Sequence, residues 1–160
     1  MVIDLVDAQN DGGFIYSDGL VEIKISNSNF NNLKADRGGF IYANALPTPI
    51  PTSPAFLQFI GSTLISNLVA KTGGGGFYIN NPHMNLFMNT PITVSNAKTT
   101  SGDGGVFYLE NINLIDFRQL TSGNVGIYKT LTVPHPSYGS FLYSKAVDSN
   151  IALEDLDIKC

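Results

Sequence analysis

The chain has little of what most functional classes require. Among its 160 residues there is one cysteine, Cys160 at the last position, no tryptophan and two histidines. One cysteine excludes an internal disulfide framework and leaves either a silent thiol or an intermolecular one. The histidines, His83 and His135, each neighbour a proline and have no Cys or carboxylate at metal-ligand spacing, so they read as exposed loop residues. Charged residues are only 14%, and the nine Lys and Arg are scattered. With a net charge of −4, the basic face of a nucleic-acid binder is missing. A polybasic patch for a membrane surface is missing too. No apolar run approaches the roughly 20 residues of a membrane-spanning helix, so membrane insertion is not expected. Met1-Val2-Ile3-Asp4-Leu5 lacks the basic start and apolar stretch of a signal peptide, which suggests a cytosolic chain or an interior piece of a longer one.

What is abundant is a phrase. Gly12-Gly13-Phe14-Ile15-Tyr16 returns as Gly38-Gly39-Phe40-Ile41-Tyr42 and, more loosely, as Gly74-Gly75-Gly76-Phe77-Tyr78. Further variants are Gly104-Gly105-Val106-Phe107-Tyr108 and Gly139-Ser140-Phe141-Leu142-Tyr143. A glycine pair leading into a short apolar and aromatic run is a turn followed by a strand, and its recurrence marks a repeat protein. The tyrosines are separated by 26, 36, 30 and 35 residues, which implies a constant core with insertions at one corner. The largest insertion, around Pro47, Pro49, Pro51 and Pro54, cannot join a β-ladder and reads as a projecting extended loop.

Between the glycines the units alternate. Val21, Ile23 and Ile25 share one face and leave Glu22 and Lys24 on the other. Residues 2–11 resemble the back half of a unit and compare with Phe30-Asn31-Asn32-Leu33 and its continuation. The register after Tyr108 is open: Ser122-Gly123-Asn124-Val125-Gly126-Ile127-Tyr128 competes with the Tyr143 stretch to begin a unit. No segment reads as an amphipathic helix.

Units of this size, with short strands, Gly and Asn corners and one apolar face, predict an all-β fold. The expected form is a single parallel β-helix, or β-solenoid, over residues 1–160, with about five coils and both ends uncapped. A β-sandwich of similar hairpins is the alternative. Asn27, Asn67 and Asn96 are expected to stack as an amide ladder at matching corners. The Gly-Gly-Phe-Ile repeats and Asn/Ser-rich strands resemble the right-handed, pectin-lyase-like β-helix repeats of large surface proteins. Similar patterns occur in polymorphic outer-membrane proteins and in ciliate surface proteins, although Phe stands here where the bacterial motif has Ala.

No catalytic constellation emerges, and neither an enzyme nor a cofactor is expected. Gly73 to Gly76 lack the Lys-Ser/Thr of a phosphate loop and open no helix. Asp11, Asp36 and Asp103 precede glycine turns and suggest, at most, a stacked carboxylate column for calcium. Asp116 and Arg118, with Glu110 nearby, read as a surface ion pair. Thr48, Thr52 and Ser53 lie among prolines, a composition associated with O-glycosylation.

The open ends carry the functional expectation. A solenoid without caps exposes unpaired strand edges, which invites end-to-end stacking or continuation into a longer rod. The expected contact residues are Val2, Ile3, Leu5 and Val6 at one end and Ile151, Leu153, Leu156, Ile158 and Cys160 at the other. The expectation is thus a structural, extracellular or cell-surface protein that self-associates, with a possible adhesive role. The alternative is a carbohydrate-binding or carbohydrate-active β-helix that takes a glycan along its Tyr and Asn face.

Overall fold

The computed structural model describes residues 1–19, 22–44, 55–88, 90–117, 120–123, 126–127, 142–145, 150–152 and 157–159. Side chains are described up to residue 117 and at Leu142 and Tyr143. The fold is all-β, and every strand pairing among these residues is parallel. None is the antiparallel type that a hairpin requires.

Numbered along the chain, the strands fall into three sheets. The first contains β1 (Val2–Asp7), β4 (Asn29–Arg37), β7 (Thr63–Gly73), β10 (Ile92–Thr99), β13 (Leu120–Gly123) and β17 (Asp157–Lys159), side by side in that order. The short β14 (Gly126–Ile127) also pairs with β10. The second contains β2 (Ile15–Asp18), β5 (Ile41–Asn44), β8 (Phe77–Asn80), β11 (Phe107–Glu110) and β15 (Leu142–Lys145). The third contains β3 (Glu22–Ser26), β6 (Ala55–Ile60), β9 (Met84–Phe87), β12 (Leu114–Asp116) and β16 (Asn150–Ala152). From β2 onward the chain visits the second, third and first sheets in turn, so each unit lays one new row on each.

The register aligns like with like. Tyr16, Tyr42, Tyr78, Tyr108 and Tyr143 occupy one column of the second sheet. The open register after Tyr108 is thereby resolved: Tyr143 pairs with Tyr108, while Gly126 and Ile127 pair with Lys98 and Thr99. Inside, Ile23, Leu57, Leu86 and Ile115 form a buried column of the third sheet. Phe30, Ile65 and Val94 do the same in the first sheet, as do Leu33, Leu68 and Ala97. The space between the sheets holds interlocking rings, with Phe40 set against Phe14, Phe30, Phe59 and Phe77.

One feature of the first sheet departs from simple alternation. Asn32, Asn67 and Asn96 have φ of 54°, 55° and 53°, the left-handed region that Asn tolerates better than most residues. Each inserts an extra outward residue, so Phe30 and Leu33 both point inward although they are three apart. The same holds for Ile65 with Leu68 and Val94 with Ala97. The column of left-handed residues therefore contains Asn32 rather than Asn27, and the amide hydrogen bonds of Asn96 and Asn67 continue to its neighbour Asn31. Asn27 sits instead at the turn after β3, beside Gly61.

Side-chain hydrogen bonds connect the rows along this bend. Asn96 Nδ2 donates to Asn67 Oδ1 at 2.8 Å, and Asn67 Nδ2 donates to Asn31 Oδ1 at 2.7 Å. Asn31 and Asn32 both donate to Asp4 Oδ1, at 3.1 and 2.8 Å. In β1 the equivalent place is held by Leu5, at φ 61° and 79% exposed. A leucine there pays the left-handed penalty and offers the ladder nothing. Leu5→Asn is expected to stabilise the fold by about 1 kcal/mol, read as a higher urea midpoint. An unchanged or lower midpoint would show that β1 does not hold this bend.

Candidate functional site: the tyrosine column and the Arg37 groove

The outward residue of the Gly-Gly motif is its tyrosine, and stacking the motifs stacks the rings. Centroid separations are 5.2 Å for Tyr16–Tyr42, 5.2 Å for Tyr42–Tyr78, 4.5 Å for Tyr78–Tyr108 and 4.9 Å for Tyr108–Tyr143. The Tyr78 and Tyr108 planes lie within 1° of parallel. These spacings follow from the roughly 4.8 Å separation of paired strands. Because each ring covers its neighbour, both faces of Tyr42, Tyr78 and Tyr108 are occupied. Tyr16, 59% exposed, is the ring most open to solvent.

Beside this column Arg37 makes two hydrogen bonds to Asp11, Nε to Oδ1 at 2.9 Å and Nη2 to Oδ2 at 2.6 Å. The paired geometry is the strong form of a guanidinium–carboxylate contact. Asp11 holds the guanidinium in its charged form well above the ordinary arginine range, against the opposing effect of partial burial. The guanidinium carbon lies 4.7 Å from the Tyr42 ring centre and 5.0 Å from that of Tyr78. Burial raises the Tyr42 hydroxyl pKa, and Arg37 pulls it the other way. A groove of about 550 Å³ opens here, lined by Asn10, Asp11, Tyr16, Asp36, Arg37 and Thr72.

Farther along the column, Tyr108 Oη donates to Glu110 Oε2 at 3.2 Å. Burial foremost, then the neighbouring Tyr78, raises the Tyr108 phenol pKa well above its usual value. Two longer and exposed ion pairs, Lys34–Asp7 at 3.6 Å and Lys71–Asp36 at 3.9 Å, also join successive rows. Pairs this exposed contribute little stability.

Backbone pairing puts Asp11, Arg37, Gly73 and Asp103 at one corner position in successive rows. The carboxylate column is thus interrupted by a cation and a glycine, and Asp36 stands one residue off it. No group of three potential metal ligands occurs among the described residues. The amides of Gly74, Gly75, Gly76 and Phe77 all donate to carbonyls of the next row, so none is left to cradle a phosphate.

Asp116 is buried at 4% exposure, not at the surface as its ion-pair reading required. His83 is half-buried rather than exposed; its backbone amide donates to Asn81 Oδ1, and its Nε2 is enclosed without a hydrogen-bond partner. Val2 and Leu5 are exposed, whereas Ile3 and Val6 pack partly against the core. Ile151 lies on β16 and Ile158 on β17. Leu153, Leu156, Cys160, Arg118, His135, Thr48, Thr52 and Ser53 lie outside the described residues.

The Arg37–Asp11 pair was not read from the sequence. Its signal was present, since opposite charges precede the first glycine of consecutive units. No family model, curated protein or solved structure matches this chain.

Proposed function

We propose that the chain is a structural protein, a β-solenoid of about five coils that acts as a segment of an extracellular or cell-surface rod. The observation that carries this reading is the register. Tyrosine, glycine and aliphatic columns each run through successive rows, and side-chain contacts between rows tie unit to unit. Six rows of the first sheet span about 24 Å at the usual strand spacing. A repeat stack of this kind is extended by adding rows.

The outermost rows among the described residues offer a route for that extension. Asp18 and Lys145 are opposite ends of one column, as are Tyr16 and Tyr143, and Ile23 and Ile151. A second copy docked in continued register places residues of opposite charge, two tyrosines and two aliphatic residues at adjacent register positions. In the first sheet both copies bring a strand to the same row, so β1 and β17 are alternatives at the joint. This refines the expected contact, in which both took part. The same edges serve a longer chain that continues into further coils.

Sedimentation velocity and electron microscopy of the purified chain test the proposal. Linear polymers that grow with concentration are expected, and Asp18→Lys is expected to weaken them by an order of magnitude or more in assembly constant. Elongated monomers at every concentration, with or without Asp18→Lys, would contradict stacking of copies and leave the longer rod. Compact particles would contradict both. Saturable binding to a polysaccharide by a monomeric form would favour the carbohydrate reading instead.

A further inference from the structure

The tyrosine column has a chemistry that a structural role does not use. We propose that it is a modification site, at which a small one-electron oxidant couples Tyr78 to Tyr108 through a bond between ring Cε carbons. Three observations single out this pair. Its rings are the closest in the column at 4.5 Å and the most nearly parallel. Both side chains are half-buried, within reach of a small oxidant, whereas Tyr42 is buried. Tyr108 alone among the described tyrosines has a side-chain hydrogen bond to a carboxylate, that of Glu110.

The electrostatics favour Tyr108 as the first residue oxidised. Glu110 accepts the phenolic proton as the electron leaves, so no cationic radical has to persist. Arg37 stands 5.0 Å from the Tyr78 ring centre and disfavours positive charge there. Tyr78 then loses its own electron to the oxidant and its proton to water. The two phenoxyl radicals join at Cε after the rings swing from stacked to edge-to-edge. Each ring hydrogen at the new bond leaves its carbon as a proton, and each phenolic oxygen regains one. The net change is the loss of two hydrogen atoms, as two protons and two electrons. The new bond ties two adjacent rows covalently. The proposal rests on the ring geometry, not on self-assembly.

The test uses the whole chain, dilute, with a photoexcited ruthenium tris-bipyridyl complex as oxidant and persulfate as terminal electron acceptor. Peptide mass spectrometry is expected to find a Tyr78–Tyr108 cross-link, two hydrogens lighter than its parts, at a yield independent of protein concentration. Glu110→Gln is expected to cut that yield several-fold while leaving the circular dichroism and melting temperature of the unoxidised protein unchanged. Tyr78→Phe is expected to divert coupling to Tyr108–Tyr143. The proposal is overturned by cross-links that avoid the Tyr78–Tyr108 pair in the unsubstituted chain. It is overturned equally by no coupling, or by an undiminished yield in folded Glu110→Gln.

Discussion

Gly39→Ala is expected to destabilise the fold by about 3–5 kcal/mol, at the upper end of single-residue effects. The second glycine of the motif is buried where backbones of adjacent rows approach most closely. A Cβ on Gly39 overlaps the carbonyl oxygen of Gly75 and lies 3.0 and 3.1 Å from the backbone oxygen and nitrogen of Val69. All of these are main-chain atoms held in ladders, so none can rotate away as a side-chain end would. The rows must separate, which strains the hydrogen bonds Gly13 N to Gly38 O and Phe40 N to Gly76 O on either side. The expected readout is a large fall in urea midpoint with loss of near-ultraviolet aromatic dichroism, since the tyrosine column is set by the same rows. A midpoint within 0.5 kcal/mol of the parent, on the scale of an ordinary surface substitution (about that size), would show that the rows are not packed this closely.

The second large effect is expected from Phe40→Ala. Phe40 is fully buried, and its ring centre lies 4.7 Å from that of Phe30, 5.4 Å from Phe77 and 5.6 Å from Phe14. Removing it leaves a cavity bounded by Phe30 of the first sheet, Phe77 of the second and, at 6.4 Å, Phe59 of the third, so collapse is limited. The expected cost is about 3–5 kcal/mol, a large part of the 5–15 kcal/mol typical of a whole domain (about that range). Phe40→Leu, which keeps much of the volume, is expected to cost less than half as much. Equal effects of the two substitutions would mean that shape at this position, rather than cavity volume, controls stability.

The sequence made the tyrosine column legible because its motif is contiguous: a glycine pair, an apolar residue or two and a tyrosine announce themselves wherever they recur. Parallel rows then follow from repetition alone. The Asn ladder was harder to read. Asparagines are scattered through every polar stretch, and the left-handed bend breaks the two-residue alternation that identifies inward positions. The pattern that marks it is an apolar residue, one polar residue, Asn and a second inward residue, as in Ile65-Ser66-Asn67-Leu68 and Val94-Ser95-Asn96-Ala97. Ile25-Ser26-Asn27-Ser28 carries the same pattern, with Asn27 at φ 43° and Ser28 buried, so local sequence does not separate Asn27 from the ladder; its place at the turn after β3 does.

The Arg37–Asp11 pair and the burial of Asp116 depend on which residues meet across rows. That is fixed by unit lengths that vary from 26 to 36 residues rather than by any local signal. The carboxylate column failed for a related reason. Turn chemistry explains each Asp before a glycine, but column membership is decided by the residue immediately before that glycine, which is Asp11, Arg37, Gly73 and Asp103 in turn.

In the arrangement described, the chain lays each unit in parallel register on the one before. Solution NMR of the isotopically labelled chain tests it most directly, through contacts between backbone protons of neighbouring strands. Contacts are expected linking Tyr16 to Tyr42, Tyr42 to Tyr78 and Tyr78 to Tyr108 in the second sheet. In the third they are expected between Ile23 and Leu57 and between Leu57 and Leu86, all in the pattern of parallel strands. Close Hα–Hα contacts between consecutive strands, such as β2 with β3 or β5 with β6, would mean antiparallel hairpins and would contradict it.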